Sequence, residues 1–124
     1  MNKLLFLLVL TLSPLLALQY HSYEDALKLQ KQNAKIIMLD VVRTDCHYCS
    51  DMERDVLNQS EMSNYLQERF IPVKINLDTE KLPLGIKVHF TPTFFFIDAE
   101  QKIIKKIPGS WNAKDFKELT DTIK

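Results

Sequence analysis

The feature that most constrains the fold of this chain is an apolar run that leads into two closely spaced cysteines. Residues 36–42 are apolar except for Asp40, and the motif Cys46-His47-Tyr48-Cys49 begins four residues after the run. A continuous apolar run of this length predicts a buried central strand, and the helical spacing of apolar residues after Cys46 predicts a helix. The two thiols then lie at a strand-to-helix junction, which suits reversible dithiol–disulfide chemistry.

The rest of the chain alternates between helical and extended patterns. The predicted helices span 22–33, 46–57, 61–69 and 112–123, with a short turn or helix near 79–84, and the predicted strands span 35–42, 70–77, 93–97 and 102–107. Ser22 and Asn112 are placed to cap the first and last helices. The order α-β-α-β-α-β-β-α predicts an α/β fold in which helices cover both faces of a central mixed sheet.

The helix that follows Cys46 has an apolar side and a charged side. Cys49, Met52 and Val56 recur at helical spacing and predict the buried side. The helix also has four charged residues, which we expect to lie mostly off this apolar side: Asp51, Glu53, Arg54 and Asp55.

The first residues have the pattern of an export signal. Lys3, the apolar stretch Leu4–Leu12 and the small residue Ala17 are typical of a secretory signal peptide. We expect this leader over residues 1–18 and one domain over residues 19–124. The stretch Leu4–Leu18 is short for a membrane span, which needs about 20 residues, so an uncleaved anchor is the less favoured alternative.

Composition excludes some classes of partner. The formal net charge is zero, which argues against a nucleic-acid or membrane-surface ligand. The chain has only two glycines and no glycine-rich phosphate loop. At 124 residues it is long enough for one domain with a hydrophobic core of its own.

Two cysteines this close together allow several uses. An exported pair is usually a structural disulfide, but a bridge across two intervening residues closes a tiny loop and adds little stability. A carrier of Cu(I) or Zn(II) could use both cysteines with His47 or His89, although a closed zinc site needs four ligands. Covalent haem is disfavoured because Ser50 stands where C-x-x-C-H needs histidine. A redox-inactive binding module is disfavoured because both cysteines are present.

Four local matches, in order, make the chain resemble the thioredoxin fold over roughly residues 20–124. Asp40 occupies the place of a buried acid in the central strand, and Cys46-x-x-Cys49 matches the redox motif. The segment 73–78 is similar to the strand that supplies a buried lysine, here Lys74, and Thr91-Pro92-Thr93 resembles the loop with a cis-proline. Asp-Cys-x-Tyr-Cys is more similar to exported relatives, such as periplasmic disulfide isomerases, than to cytosolic thioredoxins.

The residues and the resemblance together assign roles to the two cysteines. Cys46 is the predicted nucleophile, because a helix N-terminus lowers a thiol pKa from about 8.5. Cys49 is the predicted resolving cysteine, and the pair forms a redox-active disulfide. The resemblance implies that Asp40 transfers protons to and from Cys49, with help from Lys74. The alternative for Asp40 is a structural role, in which its carboxyl group is hydrogen-bonded within the fold or faces solvent.

Four residues are candidates for contact with substrate. The resemblance implies a cis peptide before Pro92 and a Thr91 backbone that pairs with an extended substrate, whereas a trans proline that starts a strand is the alternative. His47 would add positive charge beside Cys46, opposed by Asp45, unless it is merely exposed. Tyr48 would border a substrate groove. His89, Phe90 and Trp111 are further candidates, although core packing or chance exposure is favoured for Phe90 and Trp111.

These observations predict an exported thiol–disulfide oxidoreductase in the periplasm, which reduces or exchanges disulfides through its C-x-x-C dithiol. The alternatives are a net disulfide oxidase of the same fold and the Cu(I) or Zn(II) carrier. We expect no cofactor beyond the dithiol and no resident metal. The expected partners are protein disulfides or dithiols and a membrane or periplasmic redox protein. We expect a monomer that binds no nucleic acid.

Overall fold

The computed structural model describes residues 17–124, and positions 1–16 of the predicted leader lie outside the described residues. The helices are α1 (Tyr23–Asn33), α2 (His47–Met52), α3 (Ser60–Arg69) and α4 (Ala113–Asp121), and the strands are β1 (Ile36–Val42), β2 (Phe70–Asn76), β3 (Thr93–Ile97) and β4 (Ile103–Pro108). Within residues 17–124, no helix has the length and apolar character needed to cross a membrane.

The four strands form one mixed sheet in the order β2-β1-β3-β4. β1 pairs in parallel with β2 and antiparallel with β3, and β3 and β4 form an antiparallel hairpin. β1 is therefore a central strand with a neighbour on each side, as its apolar sequence predicts. The predicted mixed sheet with helices on both faces is confirmed.

The alternation of side chains along β1 divides the core into two layers. Ile37, Leu39 and Val41 face α1 and pack in one buried cluster. Met38 faces the opposite side and packs in a second buried cluster with residues of α3 and α4. Asp40 has the same parity as Met38, so its carboxyl group points into the layer that α2 covers.

The helix that begins after Cys46 differs from the expected continuous α-helix. α2 ends at Met52, and residues Glu53–Leu57 form a π-helical turn in which the Asn58 N–H donates to the Glu53 carbonyl at 2.9 Å. The wider turn changes the direction of the side chains that follow. An ideal helical wheel therefore describes only the first part of this segment.

The connection between β2 and β3 contains less helix than expected. The predicted turn or helix near 79–84 is a turn followed by a 3-10 turn over Pro83–Gly85. Pro83 is acceptable in the first turn, where its missing N–H has no helical partner. Leu84 has φ 57°, a left-handed conformation that ends the turn.

The segment before α1 is a part of the folded domain. Leu18, which our predicted boundary places at the end of the leader, is only 4% exposed and packs in the core. The His21 N–H donates to the Pro72 carbonyl at 2.9 Å, and His21 forms a parallel bridge with Val73. Residues 17–22, which we call the N-terminal arm, are thus packed onto the domain, and His21 joins the arm to β2. Processing of the leader stays a prediction.

Candidate active site

The two cysteines lie where β1 passes into α2. Asp45 has φ 55°, and this left-handed residue turns the chain so that Cys46 becomes the N-cap of α2. Cys49 lies in the first turn of the helix and forms a disulfide with Cys46, with Cα atoms 5.2 Å apart. The structure therefore places the cysteine pair at the predicted strand-to-helix junction.

The sulfur of Cys46 receives two hydrogen-bond donors. The Cys49 N–H donates to Cys46 Sγ at 3.2 Å, which makes the sulfur the N-cap acceptor of α2. The Thr91 hydroxyl donates to the same sulfur, also at 3.2 Å. Both donors, and the helix N-terminus, favour negative charge on Sγ, so the site is suited to a thiolate at Cys46 in the reduced state.

The Thr91–Pro92 peptide bond is cis and lies against the disulfide. The Thr91 carbonyl oxygen is 3.6 Å from Cys46 Sγ. The Pro92 carbonyl accepts the Gly109 N–H at 2.8 Å, which attaches this loop to the end of β4. Among residues 17–124, Thr91 makes no backbone–backbone hydrogen bond, so its peptide groups are available to an extended chain.

Asp40 is a buried carboxyl group beneath the α2 layer. It is 2% exposed, and its Oδ1 atom has no hydrogen-bond partner among the described residues. The pKa of Asp40 is raised to about 7, because burial and, to a smaller extent, the Glu53 carboxylate raise it more than the charge of Lys74 lowers it. The carboxyl group is neither exposed nor held by hydrogen bonds at Oδ1, and its pKa lies in the range that suits proton transfer near neutral pH.

Lys74 contacts Glu53 rather than forming an ion pair with Asp40. Asp40 and Lys74 are register partners across β1 and β2. The Lys74 Nζ atom, however, lies 3.1 Å from Glu53 Oε2, and Glu53 is partly buried. The same oxygen accepts the Tyr20 hydroxyl at 2.9 Å, and Lys74 Nζ lies 4.4 Å from the centroid of the Tyr20 ring. Glu53, one of the charged residues that we expected mostly off the apolar side of this helix, is thus a partly buried neighbour of the site.

A hollow of about 560 Å³ connects the disulfide with this charged group. Its lining includes Cys46, Cys49, Glu53 and Lys74. Solvent can therefore reach the sulfur atoms from the side of Glu53 as well as from the side of Thr91. Glu53 and Lys74 are therefore open to water through this hollow, whereas Asp40 is not among the residues that line it.

His47 is exposed but has a fixed neighbour. Its side chain is 82% exposed, and its Nε2 atom lies 3.0 Å from Asp51 Oδ2. The other carboxylate oxygen of Asp51 accepts from Arg54 at 2.9 Å. A positive charge on His47 would therefore be partly compensated by Asp51 and would stabilise a Cys46 thiolate less than a free imidazolium.

An aromatic groove of about 760 Å³ lies on the Thr91 side of the disulfide. Tyr48, Phe90 and Trp111 line it and are 66%, 58% and 36% exposed, respectively, so none of them packs in the core. The backbone N–H of Trp111 donates to the sulfur of buried Met52 at 3.3 Å, and this contact attaches the groove wall to the end of α2. His89 is also exposed but is not among the residues that line the groove.

Metal ligands are not clustered at this site. Within residues 17–124, no group of three or more His, Cys, Asp or Glu side chains is arranged to hold a metal ion. The carboxylate nearest to His47 is already shared with Arg54. The donor set therefore lacks the further ligands that a closed zinc site requires.

The order and arrangement of these elements have a counterpart among known proteins. The sequence profile of the thioredoxin-like domain family matches residues 23–124. The chain belongs to the thioredoxin-like family. With a C-x-x-C disulfide at the first turn of α2, this thioredoxin-like protein is a thiol–disulfide oxidoreductase.

Solved structures of the same fold include three informative neighbours. The DsbH oxidoreductase is 25% identical, with a TM-score of 0.70, over 86% of this chain and 84% of that chain. A thioredoxin from Thermus thermophilus is 24% identical, with a TM-score of 0.76, over 87% and 88%. The oxidised C-terminal domain of Neisseria meningitidis DsbD is 22% identical, with a TM-score of 0.66, over 86% and 100%. The comparison with curated proteins found no match.

Two residues of the thioredoxin-like site were missed at the sequence level. Glu53 lies four residues after Cys49, and this i, i+4 spacing is a signal that could have identified it. Tyr20 has no comparable local signal, because the pairing of the N-terminal arm with β2 brings it to Glu53. Both contacts depend on segments distant in sequence.

Proposed function

We propose that this thioredoxin-like oxidoreductase reduces or exchanges disulfides of other proteins in the periplasm. The observation that carries the proposal is the pair of donors at Cys46 Sγ, one from the helix and one from Thr91. The leader pattern of residues 1–18 supports export. The neighbour named DsbH oxidoreductase supports a place among Dsb-type enzymes.

In the proposed reductive direction, the Cys46 thiolate attacks one sulfur of a substrate disulfide. A Cys46–substrate mixed disulfide forms, and the other substrate sulfur leaves as a thiolate that takes up a proton. Cys49 then loses its proton, and its thiolate attacks Cys46 Sγ. The Cys46–Cys49 disulfide forms, and the second substrate thiol is released. Two electrons pass from the dithiol to the substrate, and a second dithiol protein restores them.

Asp40 is proposed as the group that accepts the proton of Cys49. The carboxyl group lies on the face of the sheet that α2 covers, and its pKa of about 7 allows it to take up and release a proton near neutral pH. Lys74 and Glu53 modulate that pKa in opposite directions. The hollow that includes Cys49, Glu53 and Lys74 gives the proton an exit to water.

The aromatic groove and the cis-proline loop are proposed to hold the substrate. The free peptide groups of Thr91 are suited to pair with an extended segment that carries the substrate cysteine. Tyr48 and the groove residues would contact the side chains on either side of that cysteine.

The direction of electron flow is tested by a glutathione redox titration of the Cys46/Cys49 pair. We expect a potential nearer to about −270 mV, a reductase value, than to about −120 mV, an oxidase value. The physical reason is that Asp51 compensates His47, which removes one source of stabilisation from the reduced form. A potential near the oxidase value, together with an oxidised pair in cells, would reverse the direction.

The hydroxyl of Thr91 gives a second test of the site. Thr91→Val removes a donor to Cys46 Sγ, and a hydrogen bond to a charged acceptor contributes about 1.5–3 kcal/mol. We therefore expect the pKa of Cys46 in the reduced variant to rise by about 1–2 units. The thiolate absorbance of the reduced protein, followed against pH, measures it.

The matched control for this substitution is Thr79→Val. Thr79 is exposed, and its hydroxyl donates to the Asn76 carbonyl at 3.3 Å, away from the cysteines. We expect this variant to titrate as the wild type does. An unchanged Cys46 titration in Thr91→Val would show that the hydroxyl does not stabilise the thiolate.

A further inference from the structure

The N-terminal arm delivers one side chain to the active site. The arm is held along its length, because the Leu18 N–H donates to Asn58 Oδ1 at 3.2 Å and the Gln19 N–H donates to Gln67 Oε1 at 3.1 Å. The pairing of His21 beside β2 fixes the end of the arm. Tyr20 lies between these anchors, so the position of its ring is set by the fold rather than by local flexibility.

Tyr20 contacts both charged members of the group beneath Cys49. Its hydroxyl donates to Glu53 Oε2 at 2.9 Å, and Lys74 Nζ reaches the same oxygen at 3.1 Å. The ring lies under Lys74, with 4.4 Å between Nζ and the centroid. Burial and the carboxylates of Asp40 and Glu53 raise the pKa of Tyr20 far above its ordinary value, so the phenol stays a neutral donor.

We propose that Tyr20 is a positioning residue, whose hydroxyl holds the Glu53 carboxylate beside Lys74 and within electrostatic reach of Asp40. The inference rests on the proposed function and adds a residue to its proton-transfer group. Glu53 affects proton transfer through its charge, because an ionised carboxylate near Asp40 favours the protonated form of Asp40. Without the Tyr20 hydroxyl, Glu53 Oε2 keeps its contact with Lys74 but loses one donor, so the Glu53 side chain is held less firmly near Asp40.

Several charged or titratable groups surround Glu53. Tyr20 faces it from the arm, Lys74 from β2 and Asp40 from β1. At the mouth of the hollow lie three further charged or titratable residues, which are Arg43, Asp45 and His47. The Tyr20→Phe substitution removes the donation to Glu53 and keeps the ring under Lys74, so any change at Asp40 is traced to the lost hydroxyl.

The test compares Tyr20→Phe with Tyr23→Phe in the full chain. Tyr23 also donates its hydroxyl to a side-chain oxygen, Gln101 Oε1 at 3.0 Å, but it belongs to α1 on the other face of the sheet. The measured quantity is the rate at which Cys49 resolves a Cys46–glutathione mixed disulfide, followed against pH. We expect the acidic limb of the Tyr20→Phe profile to move to lower pH by about 0.5–1 unit, and the Tyr23→Phe profile to match the wild type.

A second measurement does not depend on turnover. Carboxyl-carbon NMR of the oxidised protein follows the titration of Asp40 directly, and we expect its pKa to fall in Tyr20→Phe and to stay in place in Tyr23→Phe. In a Glu53→Gln background, Tyr20→Phe should have no further effect. An Asp40 titration unchanged by Tyr20→Phe, or moved equally by Tyr23→Phe, overturns the positioning role. If Asp40 responds as expected but the wild type reduces no protein disulfide, the positioning role stands and the proposed function fails.

Discussion

Replacing Cys46 with serine should reduce disulfide reduction to the uncatalysed rate, whereas Cys49→Ser should stop the reaction after its first step. Cys46 is the sulfur at the N-cap of α2 and has both donors, so its loss removes the activated nucleophile. In Cys49→Ser the nucleophile Cys46 remains, but the protein has no second thiol to attack the mixed disulfide. That variant should accumulate a stable covalent complex with its substrate.

The two cysteine variants are distinguished by insulin reduction and by mass measurement of the trapped species. A disulfide-bonded peptide offered to reduced Cys49→Ser should add the mass of one half of the peptide, and a dithiol reagent should release it. Cys46→Ser should add nothing under the same conditions, because the two donors that favour a thiolate are directed at the Cys46 sulfur, which this variant lacks. Equal trapping by both variants would contradict the assignment of Cys46 as nucleophile.

The trapped complex also identifies what the aromatic groove selects. Tyr48 and Phe90 are exposed beside the disulfide, so peptides recovered from Cys49→Ser report which side chains occupy that space. Tyr48→Ala should retain trapping and change the set of trapped peptides. This separates recognition in the groove from the chemistry of the sulfur atoms.

Local sequence signals were sufficient for most of the fold. Ser22 and Asn112 accept the N–H groups of residues three positions later, as their capping patterns predict. The apolar run of β1 predicts a central strand because only a strand with neighbours on both sides and layers on both faces buries every side chain. The single acid in that run, Asp40, stands out for the same reason.

The parts that sequence alone could not predict depend on long-range contacts. Glu53 lies on the site side because α2 passes into a π-helical turn and because Lys74 of β2 is opposite. Tyr20 reaches Glu53 because the arm pairs with β2. Trp111 lines the groove because Met52 accepts its backbone N–H. The i, i+4 spacing of Cys49 and Glu53 is a local signal for the position of Glu53, but its contacts with Lys74 and Tyr20 join segments that no sequence period connects.

Replacing Asp40 with asparagine should stabilise the oxidised protein at alkaline pH and slow the resolution step. In the unfolded chain this carboxyl group titrates near its ordinary value of 3.8, whereas in the folded protein its pKa is about 7. Between these values the folded state binds more protons than the unfolded state, so stability falls as pH rises. Below pH 3.8 Asp40 is protonated in both the folded and the unfolded state. Above pH about 7 it is ionised in both states, and the loss of folding stability is complete.

The size of this effect follows from the shift. A shift of about 3 units corresponds to about 4 kcal/mol, and this is an upper bound because a buried acid can relax or admit water. We therefore expect the free energy of unfolding of Asp40→Asn to exceed that of the wild type by about 2–4 kcal/mol near pH 8 and by much less near pH 4. Urea unfolding of the oxidised proteins at both pH values measures the difference. Glu24→Gln, an exposed acid on α1, is the control and should show no comparable dependence.

The same variant separates proton transfer from activation of the nucleophile. Asparagine cannot accept the proton of Cys49, so the mixed disulfide with Cys46 should be resolved more slowly, and the step should lose its dependence on a group with a pKa of about 7. The Cys46 thiolate titration should be nearly unchanged, because its donors are the Cys49 N–H and the Thr91 hydroxyl. An unaltered resolution rate in a variant that gains the expected stability would mean that Asp40 is buried without serving the reaction. A gain in stability with slower resolution means that the fold retains a destabilising acid because the chemistry requires it.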